Sequence, residues 1–347
     1  MLQIDGRPIG PGHPSYIVAE IGINHNGDLD LARKSIDAAK AAGADAVKFQ
    51  NYRTEDFLSD RKLTYTYVSQ GKSVTEAQFD MFKRCELSRD HLRQLADHCR
   101  AIGIAMHSTP TGQDGIDDLL AAGVGVLKNG SDYLTNLDLV AAFARTGLPT
   151  VLSTGMATVA EIDDAVRTYR AAGGQDLILL HCTSSYPTPP DQINLTRIPV
   201  LRDSFGCLVG FSDHSAGTIA AVASIAFGAC WIEKHFTFDR TLPGPDHHFS
   251  SDPAEFRQLV DSVRFAEAAL GTPTLGPTAN EEKGRLDFRL SCVAARSLPA
   301  GTELSIADIA FRRPGNGVRP AERGLLLGRR LKSAVEIGHL FTGSDFA

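Results

Sequence analysis

Two histidines, His214 in Gly210-Phe-Ser-Asp-His214 and His235 in Ile232-Glu-Lys-His235, each stand at the end of an apolar run. They match no local metal-ligand spacing, and a lone histidine at a strand end is more often hydrogen-bonded than ligating. If the two runs are neighbouring strands, however, their ends bring both imidazoles to one point, where neutral ring nitrogens suit a borderline divalent metal. Glu20 and Asp246 could complete such a site directly or through waters, leaving positions open for Lewis-acid catalysis. His247 and His248 compete for the role from the loop that carries Asp246.

Lys48 in Ala46-Val-Lys-Phe-Gln50 and Lys128 form a second set. A lysine inside an apolar strand end carries a burial penalty that some anion must offset. A structural salt bridge is one reading. The other is a phosphate or carboxylate cradle in which the lysines act with Thr109, Ser131, Ser153 and Ser212, giving point charges plus hydroxyl and backbone donors. A single lysine could instead form a Schiff base, so a lysine-dependent class I aldolase using pyruvate stands beside the anion cradle. No Gly-x-Ser-x-Gly elbow, P-loop or dinucleotide fingerprint is present.

What must position these residues is a set of short apolar runs that end in a charge or hydroxyl, with a helical stretch between one and the next. The runs are Tyr16–Ile23, Ala46–Gln50, Ala105–Thr109, Gly125–Lys128, Thr150–Ser153, Leu177–Cys182, Cys207–Phe211 and Cys230–His235. Helix periodicity appears in Asp28–Ala42, Arg89–Ile102, Gly115–Ala122, Leu137–Thr146, Val159–Ala172 and Gly217–Phe227. Eight such strands with intervening helices predict an α/β fold, a (β/α)₈ TIM barrel whose active site lies at the C-terminal rim. The segment from Asn51 past the Tyr-rich Leu63–Ser69 is longer than one helix needs, and it reads as a lid or as a surface excursion.

A barrel of roughly 250 residues leaves part of the 347-residue chain over. The composition breaks at Gly271-Thr-Pro-Thr-Leu-Gly-Pro277, which predicts a barrel over residues 1–270, a linker over 271–287 and a small β-rich module over 288–347. A hydrophobic content of 43% and a net charge of -6 describe a soluble globular protein and argue against a nucleic-acid or anionic-membrane surface. Neither a signal segment nor a membrane span is legible, and the six cysteines show no CxxC pair, so a cytoplasmic location is expected.

The motifs together resemble the sialic acid synthase family, N-acetylneuraminate synthase and the related legionaminate and pseudaminate synthases. The resemblance runs through Ala19-Glu-Ile-Gly-Ile-Asn-His-Asn-Gly27, Val47-Lys-Phe-Gln50, Ser108-Thr-Pro110 and Leu152-Ser-Thr-Gly-Met156. It continues in Leu180-His-Cys-Thr183 with Tyr186-Pro-Thr-Pro189, Gly210-Phe-Ser-Asp-His214, Ile232-Glu-Lys-His-Phe236 and Leu242-Pro-Gly-Pro-Asp246. Arg313-Pro-Gly-Asn-Gly317 resembles the signature of the antifreeze-like SAF domain that follows the barrel in this family.

The resemblance implies a condensation of phosphoenolpyruvate with an open-chain N-acyl hexosamine, giving a nine-carbon 2-keto sugar acid and phosphate, with Mn²⁺ or else Mg²⁺ or Co²⁺. It implies His214 and His235 as metal ligands and Lys48, Thr109, Lys128, Ser131, Ser153 and Ser212 as the phosphoenolpyruvate cradle. Gln50, Tyr186 and Asp246 would face the sugar, and Glu20 and Glu233 would lie near the reacting carbons. Arg313 resembles an arginine that one subunit inserts into its neighbour's barrel, which implies a domain-exchanged homodimer. Asp132 with Tyr133, and Ser184 with Ser185, depart from the family's common pattern, which leaves the acceptor sugar open. A non-catalytic sugar-binding barrel is disfavoured because Glu20, both histidines and both lysines are retained.

Overall fold

The computed structural model describes residues 2–347. The chain forms two compact units, the first ending at Gly271 and the second spanning Thr272–Ala347. It opens with a hairpin invisible to pattern reading, because its strands β1 (Leu2–Ile4) and β2 (Arg7–Ile9) have three residues each. Their turn, Asp5-Gly6, takes φ of 49° and 77°, the doubly positive conformation that a two-residue type I′ hairpin requires.

The eight expected strands follow. β3 (Tyr16–Gly22) and β4 (Ala46–Asn51) precede the long excursion, which contains the antiparallel hairpin β5 (Thr64–Ser69) and β6 (Lys72–Ala77). Then come β7 (Ala105–Pro110), β8 (Leu127–Asn129), β9 (Thr150–Ser153), β10 (Leu177–Cys182), β11 (Leu208–Asp213) and β12 (Trp231–His235). They pair in the order β7-β4-β3-β12-β11-β10-β9-β8, every pair parallel, and β7 and β8 adjoin where the sheet's two ends meet. This is the expected (β/α)₈ barrel. Its helices include Leu29–Ala41, capped by the Asp28 carboxylate, and Val159–Ala171, entered through a Thr158–Glu161 capping box. Arg197–Phe205 is a further helix between β10 and β11 that periodicity does not reveal: Pro199 sits in its first turn and only Ile198 and Leu201 are buried.

Because both faces of a barrel strand are covered, each strand is apolar on both sides and alternation sorts the residues into two cores. Ile17, Ala19, Ile21, Phe49 and Phe211 pack among the helices. Tyr16, Val18, Ala46, Val126, Val151, Ile178, Leu180 and Trp231 form a separate cluster that Leu2, Ile4 and Ile9 of the opening hairpin complete. Among the described residues no helix is long and apolar enough to cross a membrane, and all six cysteines are free.

The second unit carries a short helix, Glu282–Asp287, and one antiparallel pair, β13 (Ser291–Ala294) with β14 (Ile309–Arg312). Isolated bridges such as Leu298 with Val335 and Leu331 with Phe346 supplement this pair. A compact core of Cys292, Leu298, Leu304, Leu331, Phe341 and Phe346 holds it together.

Candidate active site

The polar residues that end the barrel strands converge. Glu20, Lys48, Gln50, Thr109, Lys128, Ser131, Ser153, Tyr186, Ser212, His214, Glu233, His235 and Asp246 all line one cavity of about 630 Å³. The strand period of two puts Lys48 with Gln50, Ser212 with His214 and Glu233 with His235 on the same side, so a single alternation aims several groups inward. Tyr186 and Asp246 reach the cavity from the loops after β10 and β12.

The lysines are held by carboxylates and hydroxyls. Lys48 Nζ lies 2.8 Å from Glu20 Oε2 and 3.7 Å from Glu233 Oε1, and it donates to Thr109 Oγ1 at 2.9 Å. Lys128 Nζ donates to Ser153 Oγ at 2.7 Å and to the Asn129 carbonyl at 2.9 Å, with Glu233 Oε1 at 3.6 Å. Ser212 Oγ donates to Glu233 Oε1 at 3.3 Å, and Gln50 Nε2 donates to Glu20 Oε1 at 3.1 Å. Two cations and two carboxylates, all buried, therefore balance one another. The salt-bridge reading of the lysines describes these contacts, and Thr109 and Ser153, which accept from the lysines, keep their own hydroxyl protons to donate.

The two carboxylates are driven apart. Burial raises the pKa of Glu20, with Glu233 adding to the push and Lys48 opposing it. Burial also pushes on Glu233, but Lys128, Lys48 and His214 outweigh it and hold that carboxyl below its usual range. Lys48 is lowered by burial yet raised overall by Glu20 and Glu233, whereas burial prevails at Lys128 and lowers it. Burial, then Glu20, pushes Asp246 up to about 7.

His214 and His235 stand 5.3 Å apart between ring centroids, and the Tyr186 ring lies 4.2 Å from that of His214. His214 Nδ1 donates to the Thr183 carbonyl at 2.9 Å, which in the neutral ring puts the lone pair on Nε2. His235 Nδ1 is buried without a hydrogen-bond partner, 3.8 Å from Asp246 Oδ2. A backbone carbonyl that fixes one tautomer, next to an unpartnered ring nitrogen on the other imidazole, is a donor set that fits a divalent cation. Among the described residues, no group of three His, Cys, Asp or Glu side chains is close enough to hold a metal alone. His247 does not compete: its Nδ1 meets Thr237 Oγ1 at 2.7 Å and its Nε2 meets Asn26 Nδ2 at 3.2 Å.

The cavity wall also includes residues to which sequence reasoning assigns no definite role. Cys182 lines the cavity with its Sγ 3.7 Å from His214 Nδ1. Phe57, Tyr65, Gln78, Met81 and Phe82 show that the long excursion forms part of the wall. Asp132, Tyr133 and Ser184 line it too, and Ser185 does not. A Cβ at Gly155 would lie 2.4 Å from Ser184 Oγ and 2.7 Å from Ser131 Oγ, so any larger residue there would have to displace both hydroxyls. Arg313 belongs to the second unit, where its guanidinium lies 5.2 Å from the Phe288 ring.

Comparison with known proteins adds an independent line. Residues 35–274 match the NeuB family and residues 291–347 the SAF domain. An uncharacterised protein of Methanocaldococcus jannaschii is 40% identical over 335 residues, which span 96% of this chain and 95% of that one. N,N'-diacetyllegionaminic acid synthase of Legionella pneumophila is 38% identical over 341 residues, 97% of this chain and 96% of the relative. Among solved structures, the N-acetylneuraminic acid (sialic acid) synthetase of Leptospira borgpetersenii aligns with a TM-score of 0.74 at 34% identity, covering 82% of this chain and 94% of that one.

Proposed function

The chain belongs to the NeuB family as a sialic-acid-type synthase with a SAF domain, and from this premise we propose that it condenses phosphoenolpyruvate with an open-chain N-acyl hexosamine. The acceptor is N-acetylmannosamine or a close relative, and the products are a nine-carbon 2-keto sugar acid and phosphate. The observation that carries this reading is the convergence of Lys48, Lys128 and four hydroxyl side chains on one buried cavity that also holds two imidazoles. A small ligand with both phosphate and carboxylate is the anion that two buried ammonium groups and a ring of donors fit.

In this proposal Lys48 and Lys128 bind phosphate as charges, with Thr109, Ser131, Ser153 and Ser212 donating around them. Gln50, Tyr186 and Asp246 orient the sugar. His214 and His235 would hold the divalent cation, Mn²⁺ or else Mg²⁺ or Co²⁺, which when bound polarises the acceptor's aldehyde. The methylene carbon of the enol forms the new bond to the aldehyde carbon, water adds to the phosphate-bearing carbon, and phosphate leaves. Glu20 moves the water's protons, and Glu233 keeps the two lysines in place. No side chain becomes covalently attached.

One observation favours a second reading: burial lowers the pKa of Lys128, as a Schiff-base lysine requires. A phosphate-release assay with phosphoenolpyruvate against a panel of N-acyl hexosamines tests the synthase. Borohydride treatment in the presence of pyruvate should leave the chain unlabelled, and a trapped adduct would establish the aldolase instead.

The proposal includes a domain-exchanged homodimer in which Arg313 serves the neighbouring barrel, where a guanidinium can hydrogen-bond a polar acceptor in fixed geometry. Mixing Arg313→Ala chains with His235→Ala chains should restore activity through heterodimers. Absence of recovery despite demonstrated exchange would mean that Arg313 works within its own chain or not at all.

A further inference from the structure

Asp213 and Lys234 are direct partners in the ladder between β11 and β12, and each stands one position before a cavity histidine. Alternation separates them from Ser212, His214, Glu233 and His235, and neither lines the cavity. Asp213 is 1% exposed and Lys234 2%. Lys234 Nζ donates to Asp213 Oδ2 at 2.9 Å and to the Ser215 carbonyl at 2.6 Å. Asp213 Oδ1 in turn accepts from Ser215 N at 2.8 Å and from Ser215 Oγ at 2.7 Å.

The residues on both sides of His214 are thus tied to one ammonium, and the residue bearing that ammonium immediately precedes His235. A buried ion pair is seldom more stabilising than apolar side chains of the same volume, because both charges must first be desolvated. Its geometry is what apolar packing does not reproduce: directional bonds that lock the strand end, the turn after it and the neighbouring strand into one register. Resting on the reading that His214 and His235 hold a cation, we infer that the Asp213–Lys234 pair is a positioning clamp that sets the two imidazoles relative to each other from behind the cavity wall.

The test measures Mn²⁺ binding to the full chain by electron paramagnetic resonance, alongside thermal melts and the Mn²⁺ dependence of turnover. Lys234→Met and Asp213→Asn are each expected to weaken Mn²⁺ binding on the order of 10–100-fold, the usual consequence of removing a residue that orients a metal ligand. Saturating Mn²⁺ should then restore turnover, with the KM for phosphoenolpyruvate unchanged. A fall in melting temperature with native Mn²⁺ affinity would give the pair a structural role alone and overturn the inference. The double variant, Asp213→Asn with Lys234→Met, removes both charges and decides the matter if either single variant unfolds. Native affinity in that double variant, or failure of all three to fold, also overturns the clamp. His235→Ala separates the two layers of the argument. If it binds Mn²⁺ normally, the cation assignment falls and the clamp with it, whereas lost binding there beside native affinity in the pair variants sinks the clamp alone.

Discussion

The two ends of the barrel are made by the same eight strands and are chemical opposites. At the N-terminal end Tyr16, Trp231, Val126 and Ile178 meet Leu2, Ile4 and Ile9 of the opening hairpin, and the interior is closed with apolar volume. At the C-terminal end, two residues further along the same strands, Val18 gives way to Glu20, Ala46 to Lys48, Val126 to Lys128, Val151 to Ser153 and Trp231 to Glu233. One step of the strand period converts a core into a charged cavity. The floor supplies the burial that holds the strands in register, and this lets the rim keep four buried charges and two imidazoles that a fold would not retain for stability.

The contrast is most directly broken at the floor. Trp231 is fully buried and stacks on Tyr16 at 4.8 Å. Trp231→Ala is expected to cost roughly 3–5 kcal/mol of unfolding free energy, measured in denaturant, while the folded fraction keeps its kcat. Loss of kcat at native stability would reverse the assignment of the two ends. At the rim, His235→Ala should do the opposite, lowering turnover by roughly 10²–10³-fold with little change in melting temperature, because Lewis-acid assistance supplies several kcal/mol. Steady-state kinetics and a melting curve on one preparation separate these outcomes.

A smaller effect sharpens the rim itself. Lys48→Met and Lys128→Met should each cost about 1.5–3 kcal/mol in kcat/KM for phosphoenolpyruvate and less for the sugar. Equal losses for both substrates would contradict an anion cradle. The smallest effect is acid sensitivity. Burial holds His25 at about 4, His107 at about 3 and His247 at about 4, all depressed from 6.5. These imidazoles are neutral in the fold but take up protons near pH 6.5 in the unfolded chain. Their contribution is therefore complete above that pH and declines as pH falls toward 4, by at most about 1.4 kcal/mol per unit for each group. Melting temperatures at pH 7 and pH 5 should show the decline, and His107→Phe should shallow it. An unchanged slope in that variant would remove His107 as a source.

The rim was legible because a charge or hydroxyl closing an apolar run is a pattern that single residues carry, as at Lys48 and His235. The floor was less so. β1 and β2 are too short for a period of two to emerge, and no local feature of Leu2 or Ile4 announces that they close a barrel. The helix Arg197–Phe205 hides behind Pro199 and a narrow apolar face. β8 was expected over Gly125–Lys128 and runs over Leu127–Asn129, since a three-residue strand leaves its boundaries to the neighbouring ladder. Only the parity of the folded strands places Cys182 on the cavity wall and turns Lys234 away from it.

The closure of the floor also sets an order in time. The cluster that Leu2, Ile4 and Ile9 complete needs Ile178, Leu180 and Trp231, which are made much later, and β3 pairs on one side with β12. At about 5–20 residues per second, the opening hairpin waits some 10–45 s for the strand that covers it. During that interval an apolar hairpin and the open flank of β3 face the solvent together. The nascent chain is most exposed to off-pathway association through this hairpin and β3, and truncations that stop short of Trp231 should carry that hazard permanently.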